Sequence, residues 1–415
     1  METIPEQTRL HIPQPDSRPG EQPDFSRIEV PHAGEAERPD PMINAREMPD
    51  LSRSLIRILN REDKAVGPWA NGITPDTLRE GLRLMLTTRV YDDRLFRVQR
   101  QGKLSFYVKS TGEEAVSVAA AMALRSGDML FPSYRQQGLY IARGHNLVDM
   151  MCHCLSNTRD AARGRQMPVM YTWKAGNLFT ISGNLGTQFP QAVGWAMGAA
   201  YKNQDHVAAG WVGDGTTAEG DFHHALTFAS VYQAPVILNV VNNQWAISSY
   251  QGVAGGEHAT FAERGKGYGI PALRVDGNDF LAVHSATRWA AKRARSLGGP
   301  TLIEHVTYRV EAHSTSDDPS GYRPMEEAQA WPLGDPIERL KAHLIALGEW
   351  SDEQHDAMHR DIVAKVQAAY KEAETFGTLS EGPQLPRSTM FEDVFKEPLP
   401  HHVRQRAQLE DEHND

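Results

Sequence analysis

The chain is poor in cysteine: its 415 residues include two, Cys152 and Cys154. So few cysteines exclude the disulfide framework that holds small secreted domains together. The two flank His153, which suggests a metal site. However, consecutive residues of a helix point about 100° apart and cannot converge on one ion. We therefore expect two free thiols in a protein of a reducing compartment.

Long apolar runs and an excess of positive charge are also missing. No stretch approaches the roughly 20 apolar residues of a membrane-spanning helix, so we expect no membrane partner. The 43 Lys and Arg against 53 Asp and Glu leave a net charge of −10, which argues against nucleic acid as a partner. The N-terminal stretch lacks the basic and apolar regions of a secretory signal, and Glu2 and Glu6 are atypical of a transit peptide. A cytoplasmic location is the expectation.

The centre of the chain has the pattern of a strand, a turn, a helix and a second strand. Residues 207–212 are apolar, and Gly213, Asp214 and Gly215 follow as a tight turn. Apolar residues then recur at helical spacing from Phe222 to Tyr232, and residues 236–241 form another apolar run. Parallel strands joined by a right-handed crossover have their carboxyl ends on one side of the sheet, where open parallel sheets bind ligands. Asp214 and Asn243 should therefore lie close together.

Asp214 and Asn243 offer a carboxylate and a neutral amide oxygen. Magnesium in proteins takes one or two such groups and completes its octahedron with phosphate oxygens and water. A Gly-Asp-Gly turn alone would suit an ordinary strand–helix–strand unit with an Asn-rich loop. The turn followed at this spacing by Asn242-Asn243 is typical of thiamine-diphosphate enzymes.

Four motifs carry a closer resemblance. They are Asn-Asn-Gln-Trp-Ala-Ile-Ser at 242–248, His-Ser-Thr-Ser-Asp-Asp at 313–318, Ser-Phe-Tyr at 105–107 and Gly-Glu-Glu at 112–114. Together they resemble the alpha subunits of branched-chain 2-oxo acid dehydrogenases (first component), and the likeness runs from about residue 74 to about residue 330. The resemblance implies an α/β fold of the thiamine-diphosphate-binding type, with a mostly parallel sheet and helices on both faces.

The resemblance also implies site residues. Those implied for thiamine diphosphate are Tyr134, Arg135, Ser182, Gly183, Leu185, Asp214, Gly215, Thr216, Asn243 and His313. Magnesium would be held by Asp214, Asn243 and the Trp245 carbonyl. His313 and Tyr134 would be catalytic, and Phe106, Tyr134 and Leu185 would line the acyl pocket. A potassium site in some relatives corresponds to Ser182, Asn184, Thr187 and Gln188, although proline usually stands where this chain has Asn184.

The implied reaction is the oxidative decarboxylation of branched-chain 2-oxo acids, with acyl transfer to a lipoyl group on the second, acyltransferase component. The glutamate that activates the cofactor is normally supplied by another domain, so the expected partner is a beta subunit in an assembly of two alpha and two beta chains. Relatives often have Arg directly before the Asn-Asn pair, where this chain has Val241. The alternatives are a pyruvate or acetoin dehydrogenase alpha subunit and a non-catalytic scaffold subunit.

The chain divides into three predicted parts. Residues 1–50 are rich in proline and predict an extended arm, either disordered or wrapped around a partner subunit. Residues 51–335 form the cofactor-binding domain, and residues 336–415 form a helical extension and tail. Within the domain we predict a helical stretch from Phe131 to Ala142 and a loop at residues 264–269. The loop at 311–322 lacks apolar anchors, so we expect it to be mobile unless a ligand orders it. The diphosphate would be that ligand, through His313, and a pair between Asp317 or Asp318 and Arg323 would fasten the ordered form.

Overall fold

A computed structural model of the protein describes residues 10–70 and 72–411. The strands in these residues are β1 Leu55–Ile56, β2 Met129–Phe131, β3 Ala208–Gly213, β4 Val236–Asn242, β5 Trp245–Ala246, β6 Ser249–Tyr250, β7 Ala272–Asp276 and β8 Thr301–Val306. The α-helices are α1 Pro75–Arg100, α2 Glu114–Ala123, α3 Gln137–Ala142, α4 Leu147–Leu155, α5 Gln188–Tyr201, α6 Gly220–Tyr232, α7 Glu263–Gly267, α8 Phe280–Arg295, α9 Pro336–Ala346, α10 Asp352–Glu374 and α11 Pro400–Asp411. Short 3-10 helices cover Lys174–Gly176, Gly215–Ala218, Gln251–Ala254, Pro319–Gly321 and Arg387–Phe391.

Six strands form one sheet in the order β1-β7-β8-β4-β3-β2. All five pairings in this sheet are parallel. The remaining strands, β5 and β6, form a small antiparallel pair in which Trp245 lies opposite Tyr250. The predicted parallel α/β sheet is confirmed.

Helices cover both faces of the sheet, as predicted. Along β4, Ile237 and Val241 belong to the core cluster that includes residues of α1, α2 and α8. The alternate side chains Leu238 and Val240 belong to a second cluster with residues of α5 and α6. A strand buried on both faces needs a continuous apolar run, which explains why residues 236–241 show almost no polar alternation.

The carboxyl ends of β3, β4 and β8 lie on one side of the sheet, and polar residues stand at or after these ends. Asp214 directly follows β3, Asn242 is the last residue of β4, and the segment after β8 leads to His313. Gly213 pairs with Val241 and Asn242 pairs with Val306, so the strands end in register. Thr307 N then donates to Asn242 O at 2.9 Å, and Arg309 N donates to Asn243 O at 3.2 Å. These bonds hold the segment after β8 beside the Asn-Asn turn.

Two local predictions were wrong. Phe131 lies in β2 and not in a helix, and the helix of that region begins only at Gln137. A three-residue strand is too short to show a period, so only pairing with β3 reveals it. Residues 263–267 form the one-turn helix α7 and not a loop. A Cβ on Gly265 would lie 3.1 Å from Ala272 Cβ, so glycine allows this helix to pack closely against β7.

Residues 10–50 contain no helix or strand and lie against the rest of the chain. Trp69 Nε1 donates to Glu37 O at 3.0 Å, and Trp289 Nε1 donates to Pro39 O at 2.8 Å. Helices α9 and α10, which follow the predicted domain end, pack on α1. The three-part division stays a prediction, and its first nine and last four residues lie outside the described ones.

Cysteine and long apolar segments are both scarce in the sequence. Cys152 and Cys154 are buried and free, as expected. Within residues 10–70 and 72–411, no helix is both long enough and apolar enough to cross a membrane.

Candidate active site

Asp214 stands at the end of β3 with one carboxylate oxygen bonded and the other free. Its Oδ1 accepts from Gly215 N at 2.7 Å. Its Oδ2 is buried and has no hydrogen-bond partner among the described residues. Burial raises the pKa of Asp214 to about 6, because an ionised carboxylate without enough partners is costly away from water. This oxygen is suited to accept a cation.

Asn243 stands opposite, directly after β4. Its Nδ2 donates to Glu113 Oε1 at 2.7 Å, while its Oδ1 accepts only a long bond from Trp245 N at 3.3 Å. The loop that follows has positive φ at two residues that are not glycine, Gln244 with φ 77° and Ile247 with φ 56°. A β-branched residue in this region is strained, so other contacts must stabilise the loop.

Arg309 supplies those contacts. Its guanidinium donates to Trp245 O at 2.9 Å and to Ile247 O at 2.8 Å. It also donates to the Tyr322 hydroxyl at 2.6 Å, and so ties the loop after β4 to the one after β8. Burial lowers the pKa of Arg309 to about 10. The Trp245 carbonyl, which the resemblance assigns to magnesium, therefore already accepts a hydrogen bond from the Arg309 guanidinium.

Arg135, Tyr134 and His313 form the third side of the site. Arg135 Nη2 donates to His313 O at 2.9 Å and to His313 Nδ1 at 3.3 Å. Because arginine can only donate, Nδ1 is the acceptor and the neutral ring carries its proton on Nε2. Burial, followed by the charges of Arg135 and Arg309, lowers the pKa of His313 to about 3. The Tyr134 ring meets the His313 ring edge-on at 5.9 Å.

These side chains line one cavity of about 420 Å³. Of the predicted site residues, it brings together Tyr134, Arg135, Gly183, Leu185, Asp214, Gly215, Thr216, Asn243, Trp245 and His313. Ser182 and Phe106 are outside its lining: Ser182 Oγ accepts from Asn184 N at 3.1 Å, and Phe106 packs against the main core. Met170, Ile247 and Val253 contribute apolar lining instead.

The loop at 311–322 is fastened differently from the prediction. Arg323 donates to the Tyr308 hydroxyl and to the carbonyls of residues 309–311, and not to Asp317 or Asp318. Asp317 Oδ2 instead accepts from His313 N at 2.7 Å and from the Tyr322 hydroxyl at 2.6 Å. Thr315 N also donates to Tyr107 O at 3.0 Å. Polar bonds anchor the loop where apolar side chains are lacking.

The sequence-based assignment missed two site residues, Glu113 and Arg309. Both are 1 % exposed, although charged side chains are seldom buried without a partner. Glu113 stood inside a motif used only for the resemblance, and Arg309 follows β8 in a segment to which no role was assigned. A charged residue in an otherwise apolar or small-residue stretch is the signal that could have identified them.

The residues present fit a magnesium diphosphate. Asp214 Oδ2 lacks a partner in the described part of the chain, and Asn243 Oδ1 has only a weak one. Both are the hard oxygen ligands that magnesium takes. Arg135 lines the same cavity and carries the planar donors that match phosphate oxygens. A Cβ on Gly213 would meet nothing within 4 Å, whereas one on Gly215 would lie 2.4 Å from Ala246 Cβ. The first glycine therefore leaves space at the cavity, and the second allows loop packing.

Comparison with known proteins agrees with this geometry. Residues 82–380 match the model of the dehydrogenase E1 component. The chain belongs to this family. Residues 6–46 also match the model of the 2-oxoisovalerate dehydrogenase E1 alpha subunit N terminal.

Relatives from three kingdoms of life cover most of this E1 chain. The 2-oxoisovalerate dehydrogenase subunit alpha of Pseudomonas aeruginosa is 56% identical over 403 residues, which are 97% of this chain and 98% of that protein. The mitochondrial 2-oxoisovalerate dehydrogenase subunit alpha of Bos taurus is 38% identical and covers 85% of this chain and 76% of that protein. The mitochondrial subunit alpha 2 of Arabidopsis thaliana is 39% identical over 78% of this chain and 67% of that protein. The predicted resemblance is confirmed.

Proposed function

We propose that this chain is the alpha subunit of a branched-chain 2-oxo acid dehydrogenase. It would act on substrates such as 2-oxoisovalerate and pass the acyl group to the lipoyl group of an acyltransferase component. Two chains would assemble with two beta subunits, in the cytoplasm. Membership of the E1 family and the relatives named 2-oxoisovalerate dehydrogenase support this proposal.

The observation that carries the proposal is the charge arrangement of the cavity. Asp214 presents an oxygen that lacks a partner within the described residues, and Asn243 offers a second oxygen ligand. Arg135 supplies a positive charge in the same cavity. Such a set suits a divalent cation bridged to an anionic diphosphate. An intact ligand set argues against the scaffold alternative.

Thiamine diphosphate, when bound, supplies the electron sink that makes loss of carbon dioxide from a 2-oxo acid possible. Asp214 and Asn243 would hold its magnesium ion, and Arg135 would hold its phosphates. His313 would contact the phosphates through the proton on Nε2, because its Nδ1 is occupied by Arg135. The ring stays neutral at physiological pH, so at that atom it would donate a hydrogen bond and keep its proton.

The apolar part of the lining would receive the acyl chain. Leu185 and Tyr134, both predicted for this pocket, line the cavity together with Met170. Phe106 packs against the main core and is outside the cavity lining, so its part in the acyl pocket would be indirect. Aliphatic and aromatic walls suit a branched chain better than the two carbons of an acetyl group, because apolar area drives such binding.

A potassium ion near the 182–188 loop is a further part of the proposal. Gln188 is 1 % exposed, and both of its side-chain polar atoms lack partners among the residues with described positions. Its Oε1 is therefore available to bind potassium, which is the role that the resemblance implies for Gln188.

Substrate competition tests the proposed activity. The chain, reconstituted with a beta subunit and the lipoyl-bearing acyltransferase, should turn over 2-oxoisovalerate with a higher kcat/KM than pyruvate. Acetoin should be a poor substrate. Preferred turnover of pyruvate or acetoin would support the corresponding alternative, and no turnover with any of the three would support the scaffold.

Pairing with the beta subunit has its own test. The purified single chain should show no decarboxylation, and sedimentation of the mixture should give two alpha and two beta chains. Sustained decarboxylation by the chain alone would refute the pairing.

A further inference from the structure

Two consecutive buried glutamates stand at the start of α2, and their surroundings differ. Glu114 accepts from Arg89 Nε at 2.7 Å and from Gly112 N at 2.9 Å. Glu113 Oε1 accepts from Asn243 Nδ2 at 2.7 Å and lies 3.6 Å from Arg135 Nε. Glu113 Oε2 is buried without a partner in the described part of the molecule. A half-bonded buried carboxylate costs stability, so the fold gains little from Glu113.

Glu113 does determine which way the Asn243 side chain faces. The two ends of an asparagine amide are nearly identical in shape, but one donates and the other accepts. Glu113 Oε1 accepts from Asn243 Nδ2 and lies beside the Arg135 guanidinium, so Nδ2 faces Glu113 and Oδ1 faces away from it. The Asn243 Oδ1 then has only the 3.3 Å contact with Trp245 N, which leaves it available as a ligand.

We propose that Glu113 is a positioning residue that holds Asn243 with its amide oxygen turned toward the cation site. This inference rests on the proposed magnesium site. Glu113 lines the cavity, and its unpaired oxygen costs stability in the cofactor-free protein while the residue orders the metal site.

Glu113→Gln tests the proposal with little change in shape. The introduced amide can either accept from or donate to Asn243, so both orientations of the Asn243 amide become populated. In the alpha–beta assembly with saturating thiamine diphosphate, calorimetric titration should show magnesium affinity reduced by about twofold, because equal populations halve the fraction that can bind. The melting temperature of the cofactor-free variant should not fall, a result that a merely structural residue would not give. The matched control is Glu114→Gln, which removes the buried charge that pairs with Arg89 and should lower the melting temperature while leaving magnesium affinity unchanged.

A second pair of variants, built on Asn243→Asp, distinguishes an effect of the Asn243 orientation from an effect of the Glu113 charge. When Asn243 is replaced as Asn243→Asp, the side chain no longer has an amide to orient. Adding Glu113→Gln there supplies an amide donor and relieves the repulsion between two neighbouring carboxylates, so magnesium affinity should not fall. An equal loss in both backgrounds would mean that Glu113 acts through its charge, and no loss in the wild-type background would mean that it has no role; either result overturns the proposal. Cofactor binding that is insensitive to magnesium in the unmodified protein would instead refute the magnesium site itself.

Discussion

Arg309 and Trp245 are linked by a hydrogen bond of 2.9 Å from the guanidinium to the backbone carbonyl, within the loop that presents Asn243. The same guanidinium holds Ile247 O, at a residue whose φ of 56° is strained for a β-branched side chain. Arg309 therefore stabilises a loop conformation that the chain would not adopt by itself. It achieves this from the segment after β8, so two loops of the cavity depend on one side chain.

Arg309→Gln should loosen both loops. The loss of these bonds from a buried arginine should lower the free energy of unfolding by about 2–4 kcal/mol, measured by urea denaturation. Chymotrypsin should then cut at Tyr250 and Tyr322. The control is Arg293→Gln, since Arg293 also donates to two backbone carbonyls, Pro41 O and Ile43 O, but away from the cavity. Equal protection of Tyr250 and Tyr322 in the two variants would contradict the assigned role.

Adjacent aspartates in the 311–322 loop should behave differently. Asp317 accepts from His313 N and from the Tyr322 hydroxyl, whereas exposed Asp318 caps only Ser320 N. Asp317→Ala should raise the rate of chymotryptic cleavage at Tyr322 by about tenfold, the equivalent of losing about 1.4 kcal/mol of local stability. Asp318→Ala should leave the rate nearly unchanged. Similar rates for both variants would show that the bonds of Asp317 do not order the loop.

His313 should not titrate near neutral pH. Burial first, and then the charges of Arg135 and Arg309, lower its pKa to about 3, against about 6.5 in the unfolded chain. Because the folded-state pKa is the lower one, this histidine favours folding above pH 6.5, and its contribution is lost as the pH falls from 6.5 toward 3. Its ring signals in NMR spectra, assigned with His313→Gln, should not shift between pH 5 and pH 8. Arg135→Gln should raise the pKa. A midpoint between pH 6 and pH 7.5 in the unmodified protein would contradict this environment.

Sequence patterns predicted the part of the site that depends on strand ends. Asp214 and Asn243 could be placed together because apolar runs mark the strands and parallel strands end on one side of the sheet. The helices α1 and α8 could be placed because Thr74 and Asp279 cap them, and each side chain accepts from its first turn.

Contacts between distant segments could not be predicted in this way. The Glu113–Asn243 bond joins residues 130 positions apart, and no local period marks such a pair. The position of Phe106 outside the cavity lining could not be predicted for the same reason. Packing in three dimensions decides which aromatic side chain reaches a cavity. The missed strand β2 and helix α7 are short elements, stabilised by neighbours and not by their own pattern.

The proposed magnesium diphosphate site depends most directly on Asp214. Asp214→Asn keeps the acceptor for Gly215 N and removes only the charge, so the fold should persist. In the assembled protein, calorimetric titration with thiamine diphosphate and magnesium should show affinity reduced by about 100-fold or more, because changing a ligand should cost at least as much as changing the partners behind ligands, which typically costs about 10–100-fold. Asp92→Asn is the control, because Asp92 is a buried carboxylate with a pKa also raised to about 6 by burial, bonded to Tyr107 and Ser110 outside the cavity. It should lose stability and keep cofactor affinity. Unchanged affinity in Asp214→Asn would contradict the magnesium diphosphate site.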